Sequence, residues 1–176
     1  MKQIKLYGLG GQGVVTAAKI FAKAVALGEN KNALSVPAYG HERRGAPVYS
    51  DLFIDENPIL LRTFVYDPDI VVVFDLSVIE KGVDVMAGAK ADTMFILNAI
   101  SVPDEFAGKQ VRYVDARKIS LEVLNRDIPN TTMLGAMAAA GLCSLDSVKS
   151  AISSSFGGKA GNLNALSAER GCNELN

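Results

Sequence analysis

The sequence has few of the residue types from which metal and hydrolytic sites are built. Its only two cysteines, Cys143 and Cys172, lie far apart and lack the Cys-x-x-Cys spacing of metal or iron–sulfur sites. His41 is the only histidine, which excludes a histidine metal cluster within the chain. No Gly-x-Ser-x-Gly motif accompanies it as a serine hydrolase would require. We therefore predict no metal site here and expect any redox centre to lie on another chain.

Long apolar runs and blocks of one charge sign are also missing. The 18 basic and 19 acidic residues nearly balance, and the pI near 5.8 argues against a nucleic-acid binder. No apolar run approaches the roughly 18 residues of a membrane span, and the N-terminus begins with a strand pattern instead of a leader. We expect a cytoplasmic protein without nucleic-acid or membrane partners.

Short β-branched and aromatic runs alternate with alanine-rich segments along the 176 residues. This pattern predicts one α/β domain over residues 1–176, with three α/β/α layers and a Rossmann-like, mostly parallel or mixed sheet. The predicted strands are residues 4–7, 33–37, 48–54, 70–74, 93–98 and 111–114. The predicted helices are residues 14–27, 76–86, 120–126, 131–140 and 145–154.

Two expectations concern how these elements connect. The first strand, helix and second strand fit a right-handed βαβ unit, which is the usual connection between parallel strands. The segment from about residue 157 is rich in glycine, asparagine and serine. We expect it to be loosely ordered, with a short helix around residues 163–170.

The loop "GLGGQG" between the first strand and the first helix is the most informative local pattern. Gly8, Gly10 and Gly13 match the Gly-x-Gly-x-x-Gly dinucleotide fingerprint in the strand–loop–helix context that it requires. Glycine permits a tight turn and close approach, and the helix N-terminus offers N–H groups and a positive dipole end to a phosphate. Alternatively, these glycines only let the strand pack closely against the helix.

The end of the second predicted strand discriminates between nucleotide ligands. An NAD site needs an acidic residue there to accept from the ribose hydroxyls, but the strand runs into Tyr39 instead. Arg43 and Arg44 follow and would suit an additional ribose phosphate, because a guanidinium binds phosphate through paired hydrogen bonds. NADP and coenzyme A both carry such a phosphate. The alternative is an exposed loop with ion pairs between Glu42 and the arginines.

Two other segments are weaker candidates for ligand contact. Asp75 and Ser77 follow the predicted central strand, where α/β sheets place ligands, although helix N-capping explains them equally well. The segment "NTTMLGAMAAAG" at residues 130–141 is built from small residues that permit close packing of another helix or chain. An internal helix against the sheet is the better interpretation of that segment.

Three segments together resemble one known family. They are "GLGGQGVVTAAKIFAKA", "PAYGHERRGAPV" and "NTTMLGAMAAAGL", and they include the cores Tyr-Gly-x-Glu-x-Arg-Gly and Asn-x-x-x-Leu-Gly-Ala. In this order and spacing, over most of the chain, they resemble the gamma subunit or domain of the 2-oxoacid:ferredoxin oxidoreductases, the pyruvate synthase and ketoisovalerate oxidoreductase family. The stretch "ERRGAPV" is similar to the pyruvate type.

The resemblance implies a subunit of an oxidoreductase that decarboxylates a 2-oxoacid, pyruvate favoured, and passes the acyl group to coenzyme A. Such a chain is not active alone. It binds coenzyme A and covers the active site, while alpha, beta and in some assemblies delta subunits hold thiamine diphosphate and [4Fe-4S] clusters that reduce ferredoxin. Whether the isolated chain forms a homodimer is left open.

The resemblance also implies site residues, without establishing any catalytic one. The glycine loop, including Gly8, faces the coenzyme A phosphates through Gly10, Gly11, Gln12 and Gly13. The second loop faces the partner's active site through Tyr39, Glu42, Arg44 and Gly45, and together with Arg43 these residues are assigned to cofactor binding. Two alternatives remain at this point: a stand-alone NADP-binding Rossmann oxidoreductase, for which no Tyr-x-x-x-Lys pair is found, and a non-catalytic nucleotide-binding assembly subunit.

Overall fold

A computed structural model of the chain describes residues 1–38, 44–60 and 63–176. These residues form one sheet with helices on both faces. The strands are β1 (Lys2–Leu9), β2 (Asn32–Pro37), β3 (Pro47–Asp55), β4 (Ile70–Val73), β5 (Met94–Asn98) and β6 (Gln110–Val114). The helices are α1 (Val14–Gly28), α2 (Ser77–Glu80), α3 (Ala116–Leu124), α4 (Asn130–Ala139), α5 (Leu145–Phe156) and α6 (Gly158–Asn173).

The sheet is mixed, as predicted, and its strand order is β2-β3-β1-β4-β5-β6. Strands β1, β4, β5 and β6 run parallel, whereas β3 is antiparallel to both of its neighbours, β1 and β2. Strands β1 and β2 run parallel to each other, as the βαβ unit expected from the sequence requires, but β3 lies between them. Strand β3 is buried over most of its length and β2 only partly, so the more apolar strand takes the interior position and β2 the edge.

Most of the core lies on one face of the sheet, under α1, α3, α4, α5 and α6. Helix α4 is at the centre of this layer, and its residues from Asn130 to Ala138 are all buried. The segment of small residues is therefore an internal helix, as the sequence indicates. The opposite face is covered more thinly: the helix predicted for residues 76–86 is only Ser77–Glu80, because Gly82 takes a left-handed φ of 84° and turns the chain.

The structure corrects the prediction of a loosely ordered segment from about residue 157. Residues Gly158–Asn173 form helix α6, which packs closely against α4. Its small residues recur on one face at Gly161, Ala165, Ala168 and Gly171, all of them buried. That spacing of four and three residues produces a flat helix surface, although the same composition also suits a loop.

The contact between α4 and α6 is close enough to bring backbone atoms together. A Cβ built on Gly135 of α4 would overlap the carbonyl oxygen of Ala168, and one built on Gly171 of α6 would overlap that of Thr132. The Thr132 and Ser167 hydroxyls lie 2.7 Å apart across the contact and are hydrogen bonded. The glycines therefore determine how near the two helices lie.

Glu29 connects the C-terminus of α1 to the N-terminus of α5. One carboxylate oxygen accepts hydrogen bonds from the Ser144 backbone N–H (3.0 Å) and the Ser147 hydroxyl (2.8 Å). These hydrogen bonds lower the pKa of Glu29 from 4.5 to about 2. Burial raises the pKa of the neighbouring Cys143 thiol to about 12, and the negative charge of Glu29 adds to this effect. The Cys143 thiol is therefore protonated at neutral pH.

Gly135→Ala is expected to lower the free energy of unfolding by about 1–3 kcal/mol, because the new methyl group overpacks the contact with Ala168. Alanine normally favours a helix over glycine, so the sign of the change is diagnostic. Denaturant unfolding monitored by circular dichroism measures it. Asn162→Ala, on the exposed face of α6, is the control and should stay within about 0.5 kcal/mol of wild type. A Gly135→Ala protein as stable as wild type would contradict the close contact.

Glu29→Gln is expected to change how stability depends on acid pH. Because the folded-state pKa of Glu29 is depressed, its ionised form stabilises the fold above about pH 4.5, and this stabilisation is lost as the pH falls towards 2. The variant should therefore lose less stability than wild type across that window in denaturant titrations. Glu105→Gln, at an exposed position, is the control. Parallel pH profiles for wild type and Glu29→Gln would exclude the assigned role.

Candidate functional site

The glycine loop and the loop before β3 lie against each other at one edge of the sheet. The Gly10 N–H donates to the Ala46 carbonyl (2.8 Å), and the Gly45 N–H donates to the Gly10 carbonyl (3.0 Å). Strand register explains the contact, because Leu9 at the end of β1 pairs with Pro47 at the start of β3. The structure thus brings the predicted glycine loop together with Arg44 and Gly45. Tyr39, Glu42 and Arg43 lie outside the described residues.

The glycines of the site are required for different physical reasons. Gly11 and Gly13 take left-handed φ angles of 98° and 77°, which side chains rarely adopt. At Gly8 a Cβ would lie only 2.7 Å from Val14 Cγ2, so this glycine lets β1 approach α1 closely. At Gly11 the nearest atom is 3.5 Å away, on the Arg44 side chain. Close packing, one of the two interpretations of this motif, therefore explains the glycine at position 8, whereas backbone conformation explains the glycine at position 11.

The N-terminus of α1 is open, in the sense that no side chain caps its N–H groups. Gly13 is the N-cap without a side-chain hydrogen bond, and the first turn contains no acidic residue. The first helical hydrogen bond is donated by Ala17 to the Gly13 carbonyl, so the preceding N–H groups have no helical acceptor. These donors and the positive end of the helix dipole favour an anion.

The N-terminus of α4 meets the same loop. Asn130, its first residue, is buried, and its Nδ2 would lie 2.6 Å from a Cβ at Gly13. Its Oδ1 accepts from the Thr131 N–H at 2.7 Å. The sequence analysis favoured an internal helix over a ligand site for residues 130–141 and did not single out Asn130. The signal was the polar residue that begins an otherwise apolar helix.

Gln12 uses both ends of its side-chain amide within the protein. The Leu9 N–H donates to Oε1 (2.8 Å), and Nε2 donates to Asp75 Oδ2 (2.6 Å). The other oxygen of Asp75 accepts from the Ser77 N–H at 2.9 Å. Burial acts to raise the pKa of Asp75, but the hydrogen bonds from Ser77 and Gln12 outweigh it and the pKa is lowered. Asp75 therefore carries a negative charge beside the loop at neutral pH.

The fold and the loop define an α/β protein with a glycine-loop site at the carboxyl edge of β1. Residues 3–174 match the family model described as pyruvate ferredoxin/flavodoxin oxidoreductase. A relative from Pyrococcus abyssi, the pyruvate/ketoisovalerate oxidoreductases common subunit gamma, is 45% identical over 175 residues, covering 96% of this chain and 94% of the relative. The chain belongs to the pyruvate ferredoxin/flavodoxin oxidoreductase family and is a gamma-type subunit of a 2-oxoacid:ferredoxin oxidoreductase.

Solved structures agree with this assignment. The crystal structure of pyruvate oxidoreductase subunit PORC from Thermotoga maritima superposes with a TM-score of 0.85 at 29% identity, covering 99% of this chain and 97% of that one. The 2-oxoglutarate:ferredoxin oxidoreductase from Magnetococcus marinus, solved with 2-oxoglutarate, coenzyme A and succinyl-CoA bound, has a TM-score of 0.79 at 20% identity. Its match covers 97% of this chain but 30% of the longer chain, and it supports the fold. Among the described residues, none of the helices is both long and apolar enough to cross a membrane.

Gly13→Ala is expected to destabilise the fold more than Gly45→Ala. Both glycines have left-handed φ angles, 77° and 81°, so alanine is strained at either position by about 1–2 kcal/mol. Only at Gly13 does the methyl group also meet Asn130, whereas Gly45 has nothing within 4 Å. Thermal unfolding of both variants, and of Gly13→Ala combined with Asn130→Ala, measures the difference. Equal losses at the two positions would contradict the contact between the loop and α4.

Proposed function

We propose that this chain contributes coenzyme A binding and active-site covering to its oxidoreductase. The observation that carries the proposal is the juxtaposition of the open α1 N-terminus, the glycine loop and Arg44. Coenzyme A offers a pyrophosphate and a separate ribose phosphate, and the site offers two separate anion-binding elements. The backbone donors at Gly11 and Gly13 suit the pyrophosphate, and the Arg44 guanidinium suits the ribose phosphate.

The strand order supports coenzyme A over a nicotinamide dinucleotide. In a Rossmann site the strand beside β1 ends in the residue that binds the ribose of the dinucleotide. Here β2 is two strands away from β1, or about 9–10 Å, because β3 is inserted between them. The loop beside β1 is the one that precedes β3, and its Arg44 suits the ribose phosphate that NADP and coenzyme A share, so it is the displacement of β2 that disfavours a dinucleotide. This fold therefore lacks the ribose-binding position that a stand-alone NADP enzyme would use.

Thiamine diphosphate and the [4Fe-4S] clusters belong on partner alpha, beta and, where present, delta subunits in this proposal. Cluster ligation needs several thiolates, whereas the chain has two cysteines, and burial raises the pKa of both thiols. The oxoacid is of the pyruvate type. The P. abyssi relative is common to pyruvate and ketoisovalerate oxidoreductases, so we assign the final choice of oxoacid to the partner subunits.

Arg44→Gln is expected to weaken coenzyme A binding about 10-fold or more, because charge-assisted hydrogen bonds contribute about 1.5–3 kcal/mol. Binding of 3′-dephospho-coenzyme A should change little, since it lacks the phosphate assigned to Arg44. The assembled complex is assayed for the KM of each thiol, and the purified chain is titrated calorimetrically. Arg112→Gln, on the edge strand β6, is the matched control and should bind both thiols like wild type.

Two results would overturn the proposal, and a third would overturn its assignment of Arg44. Binding of NADPH without coenzyme A would favour the dinucleotide alternative. A complex that turns over normally while neither thiol titrates into the chain would favour a non-catalytic assembly subunit. An equal loss for coenzyme A and its dephospho form in Arg44→Gln would remove the assigned phosphate contact.

A further inference from the structure

We infer that Gln12 fixes the glycine loop and does not contact the ligand, and that Asp75 is a positioning residue which acts through Gln12. The inference replaces the expectation that Gln12 faces a phosphate. It rests on the proposed coenzyme A site for its functional consequence, but the hydrogen-bond chain on which it is built is independent of that proposal.

The chain of hydrogen bonds joins the ends of two neighbouring parallel strands. It runs from the Leu9 N–H at the end of β1, through the Gln12 amide, to the Asp75 carboxylate just past β4. It ends at the Ser77 N–H, the first residue of α2. The backbone of Gln12 also donates to the Leu9 carbonyl at 3.1 Å, which closes the turn. Both ends of the Gln12 amide therefore have partners before any ligand arrives.

The donor and acceptor pattern explains why these two side chains occur together. Leu9 and Ser77 both present N–H donors, so each end of the chain must be an acceptor. A glutamine offers a carbonyl oxygen at one end of its amide and an NH2 group with two N–H donors at the other, and the N–H that points to residue 75 needs an acceptor there. An ionised aspartate supplies one oxygen to Gln12 and one to Ser77. With asparagine at position 75, one donor would face another donor.

Charge gives a second reason for excluding Gln12 from ligand contact. A phosphate placed beside its Nε2 would lie near the ionised Asp75 carboxylate, which is 2.6 Å from that nitrogen. A phosphate and a carboxylate that contact the same amide nitrogen repel each other strongly in a half-buried site. Positive potential comes instead from Arg44, beside Gly11, and from the open N-terminus of α1 at Gly13. Asp75 therefore holds the loop in place and directs a phosphate away from Gln12 towards Arg44 and α1.

A polarity swap tests the inference. Gln12→Glu alone opposes two carboxylates, and Asp75→Asn alone opposes two donors, so each should lower the melting temperature and weaken coenzyme A binding about 10-fold. In the double variant, the new amide at position 75 would donate to the new carboxylate at position 12 and accept from the Ser77 N–H. That carboxylate would also accept from the Leu9 N–H. The central hydrogen bond is restored with reversed direction, the two outer bonds keep their direction and the net charge is unchanged, so the double variant should regain most of the stability and most of the coenzyme A affinity.

The measurements are thermal unfolding of the chain and, in the assembled complex, the KM for coenzyme A against kcat. A positioning role predicts that each single variant raises the KM more than it lowers kcat, and that the double variant reverses the change in KM. The controls are Gln110→Glu and Asp92→Asn, the same two substitutions at exposed positions away from the loop. Both should match wild type.

Recovery of stability without recovery of affinity in the double variant would overturn the inference, because it would show that Gln12 itself contacts the ligand. Additive losses of stability in the two singles and the double would also overturn it, since no coupling would then exist between the residues. If wild type fails to bind coenzyme A, the proposed function fails, while the melting temperatures of the four proteins still test the hydrogen-bond chain.

Discussion

The antiparallel strand β3, inserted between β1 and β2, is the constraint on which the rest of this structure depends. Its register with β1 places the loop before it directly against the glycine loop. Without that insertion the segment carrying Arg44 would not reach the carboxyl edge of β1. The same insertion moves β2 to the edge of the sheet and removes the ribose-binding position of a Rossmann dinucleotide site. One strand pairing thus changes which ligands the loop suits.

Helix α4 has a comparable effect beneath the loop. Because α6 approaches it closely at Gly135 and Gly171, α4 is enclosed, and its N-terminal residue Asn130 is held against Gly13. Two helix N-termini therefore meet at the same end of the sheet. The helical layer contributes to the candidate site through this contact, although most of its residues are far from it.

The charges around the loop are separated in space. Asp75 supplies a negative charge on the β4 side, and Arg44 with the open α1 N-terminus supplies positive potential on the other. Such an asymmetric arrangement suits an elongated anion better than a single free phosphate. It fits the coenzyme A site proposed above.

Local sequence patterns determined the elements whose hydrophobic signal is strong. Strand β4 is a continuous β-branched run, and the glycine loop and α1 follow from adjacent residues, whereas the family membership follows from three segments taken together. Tertiary structure decided what depends on pairing between distant segments. Examples are the position of β3, the folding of the polar segment after residue 157 into α6, and the contact between Gln12 and Asp75, 63 residues apart in the chain. Hydrogen bonds and close packing between remote residues are set by strand order and helix contacts, which no local periodicity encodes.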